Sequence, residues 1–182
     1  VRYLGTSNEN AYGLTKANTI ADYEGWARFE SIQNNFSLLN RRFFDELANV
    51  CRREQVSLLP YSPIGGGVLS GKYNGGKVPL NSRFDDYQKN ENSRQRAMSK
   101  RFVNKDTLAS TEKYLEIAKK ASLSPVTLAT AWSMHFDFVA STIIGARSAD
   151  QLDEALASLE VSLSKDILSE CNEVHNQIPY PM

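Results

Sequence analysis

Residues Val56–Tyr73 read VSLLPYSPIGGGVLSGKY, and the first six predict a parallel strand. VSLLPY is apolar except at Ser57 and Pro60, the near-continuous pattern of a strand covered on both faces. Proline cannot donate to a ladder, so the strand is expected to end there. Ser62, Pro63 and the triple glycine Gly65–Gly67 follow, a turn in which backbone can approach a ligand closely. A strand that runs into a glycine-rich turn is the ligand end of a parallel α/β unit.

The same unit recurs upstream. Arg28–Gln33 (RFESIQ) alternates as a strand, and Asn40 can cap a helix whose apolar positions Phe43, Phe44, Leu47, Val50 and Cys51 recur at helical spacing. Val1–Gly5 (VRYLG) reads as a strand, Thr6, Ser7 and Asn8 as turn and capping residues, and the chain to about Asp22 as a helix. Downstream, Asn74–Asn104 is polar with Pro79 as its one proline, and is expected to be a long functional or mobile loop. Helical spacing resumes at Leu108, Leu115 and Ala118, and Ser124 with Pro125 opens a helix through Trp132. A fourth strand is predicted over Phe138–Ile144. Ser148 and Gln151 have capping-box spacing for a helix carrying Leu152, Ala155, Leu156 and Leu159. The last helix starts at Ser164, with Leu163 and Leu168 at staple positions.

Four strands alternating with helices call for a parallel α/β sheet with right-handed crossovers. A complete (β/α)8 TIM barrel takes about 250 residues, so four units make about half of one. Half a barrel has open sheet edges and needs a partner to cover them. The chain opens on Val1, and sequence upstream of it is expected to be missing.

Of 182 residues, 41% are hydrophobic and 23% charged, enough apolar material for a sizeable core. Lys plus Arg equals Asp plus Glu at 21 each, which leaves no global field toward nucleic acid or an anionic membrane. The expected partner is a small molecule or a protein. No apolar run approaches the roughly 20 residues of a membrane helix; a cytoplasmic location is expected, an organelle not being excluded. Cys51 and Cys171 stand alone in helical stretches, as buried free thiols rather than metal ligands or a disulfide. His135 falls at the end of a helix and His175 in the last helix, both away from the strand ends, and they read as surface or capping residues.

Ligands of parallel α/β folds bind beyond the carboxyl ends of the strands. Those positions hold Ser7 and Asn8, Gln33 and Asn34, Tyr61–Gly67, and Gly145–Ser148. They supply amide and hydroxyl groups, an aromatic face, a glycine turn and an arginine at a helix N-terminus, the last pair suited to phosphate. Singly, each has a plain reading as a cap, a core aromatic, a loop or a solvated charge. Together, at four successive strand ends, they favour one shared ligand.

The segments GTSN (Gly5–Asn8), SIQNNFSLLNR (Ser31–Arg41), LLPYSPIGGGVLSGKY (Leu58–Tyr73) and STIIGARSADQL (Ser141–Leu152) resemble, in order and spacing, the second half of an aldo-keto reductase. The branch most resembled is the bacterial Tas type, and more distantly the potassium-channel β subunits. The resemblance implies the C-terminal half of a TIM barrel, strands 5 to 8, and NADPH as cofactor. It implies that Ser7, Asn8 and Gln33 hold the nicotinamide carboxamide, with Tyr61 stacked on the ring. Ser62, Pro63, Ile64, Gly65 and Gly66 would line the pyrophosphate, assisted by Lys72 and Arg83. Gly145, Arg147, Gln151 and Glu154 would surround the adenosine end, with the 2′-phosphate at Arg147. Where the family commonly has asparagine to meet adenine, this sequence has Ala155. The family's catalytic Asp, Tyr, Lys and His belong to the first four strands, so no catalytic residue is expected in this chain.

Three functions compete. One is reduction of an aldehyde or ketone by NADPH. Another is a cofactor-binding regulatory subunit, as in the channel β subunits. A third is a different phosphate-binding barrel such as an aldolase, which would share Arg147 but would not need Tyr61 and Gln33 together.

Overall fold

The computed structural model describes residues 1–76 and 78–182; Lys77, inside the polar stretch expected to be a loop, lies outside the described residues. Three parallel strands, β1 (Leu4–Ser7), β2 (Phe29–Gln33) and β3 (Ser57–Leu58), lie side by side in the order β1-β2-β3. Ser7 stands opposite Gln33, and Ile32 opposite Leu58. All three therefore end on the same side of the sheet.

Two strands differ from expectation. The regular ladder of β3 stops at Leu58, yet Leu59 N still donates to the Ile32 carbonyl at 2.8 Å and Tyr61 N to the Asn34 carbonyl at 3.1 Å, and Tyr61 bridges both Asn35 and Ile143; Pro60, which has no N–H, leaves its gap on the side that faces residues 138–144. The predicted fourth strand, Phe138–Ile144, is likewise present as bridges rather than a continuous strand. Leu58 N donates to the Phe138 carbonyl at 2.7 Å, Ala140 N to Leu58 at 3.0 Å, and Ile143 N to Pro60 at 2.8 Å. It still runs parallel beside β3. The first strand begins three residues later than predicted, which makes Thr6 and Ser7 strand residues rather than turn residues.

Helix α1 (Ala11–Glu24) is capped by Asn10, whose side chain accepts from Gly13 N at 2.8 Å, and is stopped by Gly25 at φ 69°. The helix expected from Asn40 forms in two pieces, a 3-10 turn at Arg42–Phe44 and α2 (Leu47–Glu54). Asn40 Nδ2 donates to Asn35 Oδ1, while its Oδ1 accepts from Arg42 N at 3.4 Å at the start of the 3-10 turn. The polar stretch expected to be a loop holds two helices, α3 (Arg83–Lys89) and α4 (Ser93–Phe102). Ser82 and Asn92 cap them, and Phe84 and Phe102 pack ring to ring at 5.3 Å beneath them.

Helix α5 (Lys105–Lys120) carries a reciprocal cap between Asn104 and Thr107. Helix α6 (Pro125–Met134) starts at Ser124 with Pro125 in its first turn, as predicted. Helix α7 (Ala149–Leu156) forms, but Ser148 makes no side-chain cap; Gln151 Oε1 reaches past it to accept from Arg147 N at 3.0 Å. Helix α8 (Lys165–Gln177) starts at Ser164, whose hydroxyl accepts from Ile167 N. No helix among the described residues is long and apolar enough to cross a membrane.

The core holds an aromatic cluster of Phe36, Phe43, Phe44, Trp132, Phe136 and Phe138; Phe36 and Trp132 lie 5.0 Å apart. Against it sits Arg41, only 4% exposed. Its guanidinium lies 4.5 Å over Trp132, donating from Nη1 to Asn172 Oδ1 and from Nη2 to the Cys171 carbonyl, both at 2.7 Å. Burial holds its pKa below the usual arginine value. Both cysteines are buried free thiols, and burial pushes each up to about 11. On the outside, Tyr3, Tyr12, Tyr23 and Trp26 around β1 and α1 are exposed.

Lysine has neither the planar fork nor the flat face that Arg41 uses. Arg41→Lys is expected to cost about 2 kcal/mol, read as a lower urea midpoint at unchanged slope. An unchanged midpoint would show that the fork contributes nothing.

Candidate functional site

The strand ends meet through a chain of hydrogen bonds. Ser7 Oγ and Asn8 N both donate to the Gln33 carbonyl at 3.0 Å, which ties the end of β1 to the end of β2. Asn8 Nδ2 donates to Ser7 Oγ at 3.0 Å, and Tyr61 Oη donates to Asn8 Oδ1 at 2.8 Å. Asn8 adopts φ 55°, a left-handed conformation that asparagine tolerates better than most residues. Ser7, Asn8 and Gln33 are exposed and Tyr61 is half-buried. The side-chain amide of Gln33 makes no hydrogen bond among the described residues, whereas the polar groups of Ser7 and Asn8 partner one another. Asn34 turns away from this row, donating to the Glu9 carbonyl at 3.2 Å.

Beyond Tyr61 the backbone turns sharply. Ser62 has φ 56°, and Gly65, Gly66 and Gly67 have φ 57°, 65° and 99°. Gly65 N donates to the Ser62 carbonyl and Gly67 N to the Ile64 carbonyl, both at 2.9 Å, while Pro63 is buried and Ile64 half-buried. A Cβ at Gly66 would lie 2.8 Å from the Phe84 ring, and one at Gly67 would lie 3.0 Å from the Lys72 ammonium. These glycines are therefore required by the turn's own path and by the elements packed on it. Gly145 differs: its φ is not positive, and a Cβ there would meet nothing within 4 Å.

Three cations from separate segments gather beside this turn. Lys72 is exposed, with its ammonium 5.3 Å from the centre of the Tyr73 ring. Its pKa is held below the usual lysine value by burial first, and then by repulsion from Arg147 and Arg83. Arg83 opens α3, and Arg147 precedes α7. Arg147 Nη1 donates to the Asn81 carbonyl at 3.0 Å, and its Nη2 lies 3.5 Å from Asp86 Oδ2. Like charges that repel one another favour an anion that neutralises them. Asn81 and Asp86 were not legible as site residues; the Ser82 cap followed by Asp85 and Asp86 was the available signal of a helix start there.

The adenosine-end residues are brought together less tightly. Gln151 holds the Arg147 backbone, as above. The Glu154 carbonyl accepts from Thr127 Oγ1 at 2.8 Å, and its side chain is exposed. Ala155 is 8% exposed and lines an open cavity of about 340 Å³ with Thr130, Met134, Val139 and Leu159. None of the predicted cofactor residues lines that cavity. His135 is exposed at the end of α6, and His175 stacks edge-on against Tyr180 at 5.1 Å. Burial, and then Arg41, keep the His175 pKa below the usual value.

Parallel strands with hydrogen-bonding groups at one end of the row of strand ends and cations at the other define an α/β protein. Residues 1–176 match the model of the aldo/keto reductase family, and the chain belongs to that family. The family's fold is the TIM barrel. The chain is 38% identical over 181 residues to Protein tas of Escherichia coli, covering all of this chain and 50% of that protein. It is 32% identical over 180 residues to a Schizosaccharomyces pombe protein provisionally named an aryl-alcohol dehydrogenase, covering 98% of this chain and 48% of that one. With versiconal hemiacetal acetate reductase of Aspergillus parasiticus it shares 29% over 165 residues, 91% of this chain and 46% of that protein. The chain thus spans about half the length of the curated relatives it matches.

Gly66→Ala is expected to destabilise the protein by about 1–3 kcal/mol, because φ 65° disfavours a Cβ and Phe84 occupies its place. The same change at Gly145 should stay within about 0.5 kcal/mol, a surface-like effect. Thermal melts of the two variants compare them directly.

Proposed function

We propose that this chain is the C-terminal half, strands 5 to 8, of the barrel of an NADPH-dependent aldo-keto reductase that reduces a small aldehyde or ketone to an alcohol. The observation that carries this reading is the convergence of Lys72, Arg83 and Arg147 beside the glycine turn, at one end of the row that starts with Ser7, Asn8, Gln33 and Tyr61. A dinucleotide with an amide at one end and phosphates toward the other fits that donor set.

In this reading Gln33, whose amide is uncommitted, joins Ser7 and Asn8 in holding the nicotinamide carboxamide. Tyr61, fixed through its hydroxyl by Asn8, offers its ring to the nicotinamide and is not a proton donor to substrate. Ser62, Pro63, Ile64, Gly65 and Gly66 follow the pyrophosphate, with Lys72 and Arg83 neutralising it. Gly145, Arg147, Gln151 and Glu154 surround the adenosine, and open space around Gly145 permits close approach. Ala155 faces the cavity between α6 and α7 and contributes no hydrogen bond to adenine. When bound, the cofactor supplies the hydride, while the protein supplies orientation and electrostatics. Proton transfer falls to residues outside this chain.

The chain by itself is expected to show no reductase turnover with NADPH and a panel of aldehydes; activity that survives repurification would overturn the division of labour. In the full-length protein, Arg147→Ala should weaken NADPH binding about tenfold to a hundredfold, the worth of a charge-assisted contact, and leave NADH nearly unchanged. Equal weakening of both in a fluorescence titration would remove Arg147 from the 2′-phosphate.

A further inference from the structure

Two adjacent aspartates at the start of α3 do different work. Asp85 is 7% exposed, and its Oδ2 accepts from Asn81 N at 2.9 Å and from Lys89 Nζ at 2.8 Å. Asp86 points outward, 3.5 Å from Arg147 Nη2. Among the described residues it is the one carboxylate that pairs with any member of the Lys72, Arg83 and Arg147 cluster. Asn81 links the two aspartates: its N–H is held by Asp85, its carbonyl receives Arg147 Nη1 at 3.0 Å, and its φ is 59°. The guanidinium thus bridges from the start of α7 to the turn that precedes α3.

We propose that Asp86 is the resident counter-ion of Arg147, displaced when a phosphate group binds, and that it sets how strongly the site discriminates a 2′-phosphorylated ribose from an unphosphorylated one. This rests on the assignment of the 2′-phosphate to Arg147. The side chains of Arg147 and Asp86 are 66% and 54% exposed, and ion pairs so exposed are weak and easily exchanged. A phosphate brings about two charges and three acceptor oxygens and meets the guanidinium fork better than one carboxylate oxygen at 3.5 Å. Asp86 opposes that exchange in two ways. It occupies Nη2, and its own charge repels the incoming phosphate. Neutralising it removes the repulsion and weakens its hold on Nη2, an amide oxygen being a poorer acceptor than a carboxylate, while leaving the Asn81 contact in place. An unphosphorylated ribose neither needs Nη2 nor feels the repulsion, so its binding does not depend on Asp86.

The test is titration of the full-length protein with NADPH, NADH, adenosine 2′-monophosphate and adenosine 5′-monophosphate, before and after Asp86→Asn. NADPH and the 2′-monophosphate should bind about threefold to tenfold more tightly in the variant, and the other two within about twofold of the original. Asp86→Glu, which restores the charge, should return NADPH to its original affinity. A variant in which all four ligands shift alike, or none does, overturns the counter-ion role while the original preference for NADPH stands. An original protein that binds NADPH and NADH equally overturns the assignment of Arg147 itself, a separate result.

Discussion

A guanidinium without a carboxylate lies at the centre of this fold. Arg41 is buried, and its charge is met by one carbonyl, one amide oxygen and the face of Trp132. Removing a cation from water is costly and must be offset by hydrogen bonds; the two terminal nitrogens of Arg41 are met, while its Nε has no partner among the described residues. Keeping those two bonds and the contact with Trp132 requires that the connection after β2, the body of α8 and the wall of α6 stand in fixed relation. Leu38, three residues before, accepts from Tyr114 of α5 at 3.2 Å, and the same burial raises that phenol to about 12. Three helices, α5, α6 and α8, are thereby oriented around the segment that leaves the end of β2, where Gln33 and Asn34 stand.

The site inherits its geometry from strand direction. Because the strands are parallel, side chains far apart in sequence emerge at one edge. Asn8 and Tyr61, 53 positions apart, share a hydrogen bond. The cations arrive differently, from a turn and from two helix starts, and they repel one another. That repulsion is tolerated because each lies at the surface, where water screens it, and because Asp86 and Asn81 absorb part of the Arg147 charge.

Much of this was legible beforehand, and the failures have physical reasons. Ser124 with Pro125, and Ser164, announced α6 and α8 because caps are local chemistry. The strand-end residues could be named because a strand followed by a turn marks its own carboxyl end. Helices α3 and α4 escaped notice because their contact with the rest of the protein is narrow: Phe84, Ser99 and Phe102 are buried in a stretch that is otherwise polar. The fourth strand was over-read, since apolar composition reports burial and not ladder hydrogen bonding. The triple glycine was read as room for a ligand, whereas its dihedral angles and the Phe84 ring already demand it. The Arg147–Asp86 contact joins positions 61 apart through a tertiary path that no local pattern encodes.

The burial of Cys51 and Cys171 has a chemical consequence of its own. A thiol that titrates near 11 is almost wholly protonated at neutral pH, and the thiolate is the form that peroxides attack. Neither sulfur can therefore serve as an oxidant sensor while the native packing holds. Oxidative damage falls instead on the half-buried thioethers of Met98 and Met134, the latter within 3.5 Å of the Ser158 hydroxyl. A sulfoxide at Met134 would place a polar group on the apolar wall between α6 and α7, so the chain's vulnerability to peroxide lies in its packing and not in its thiols.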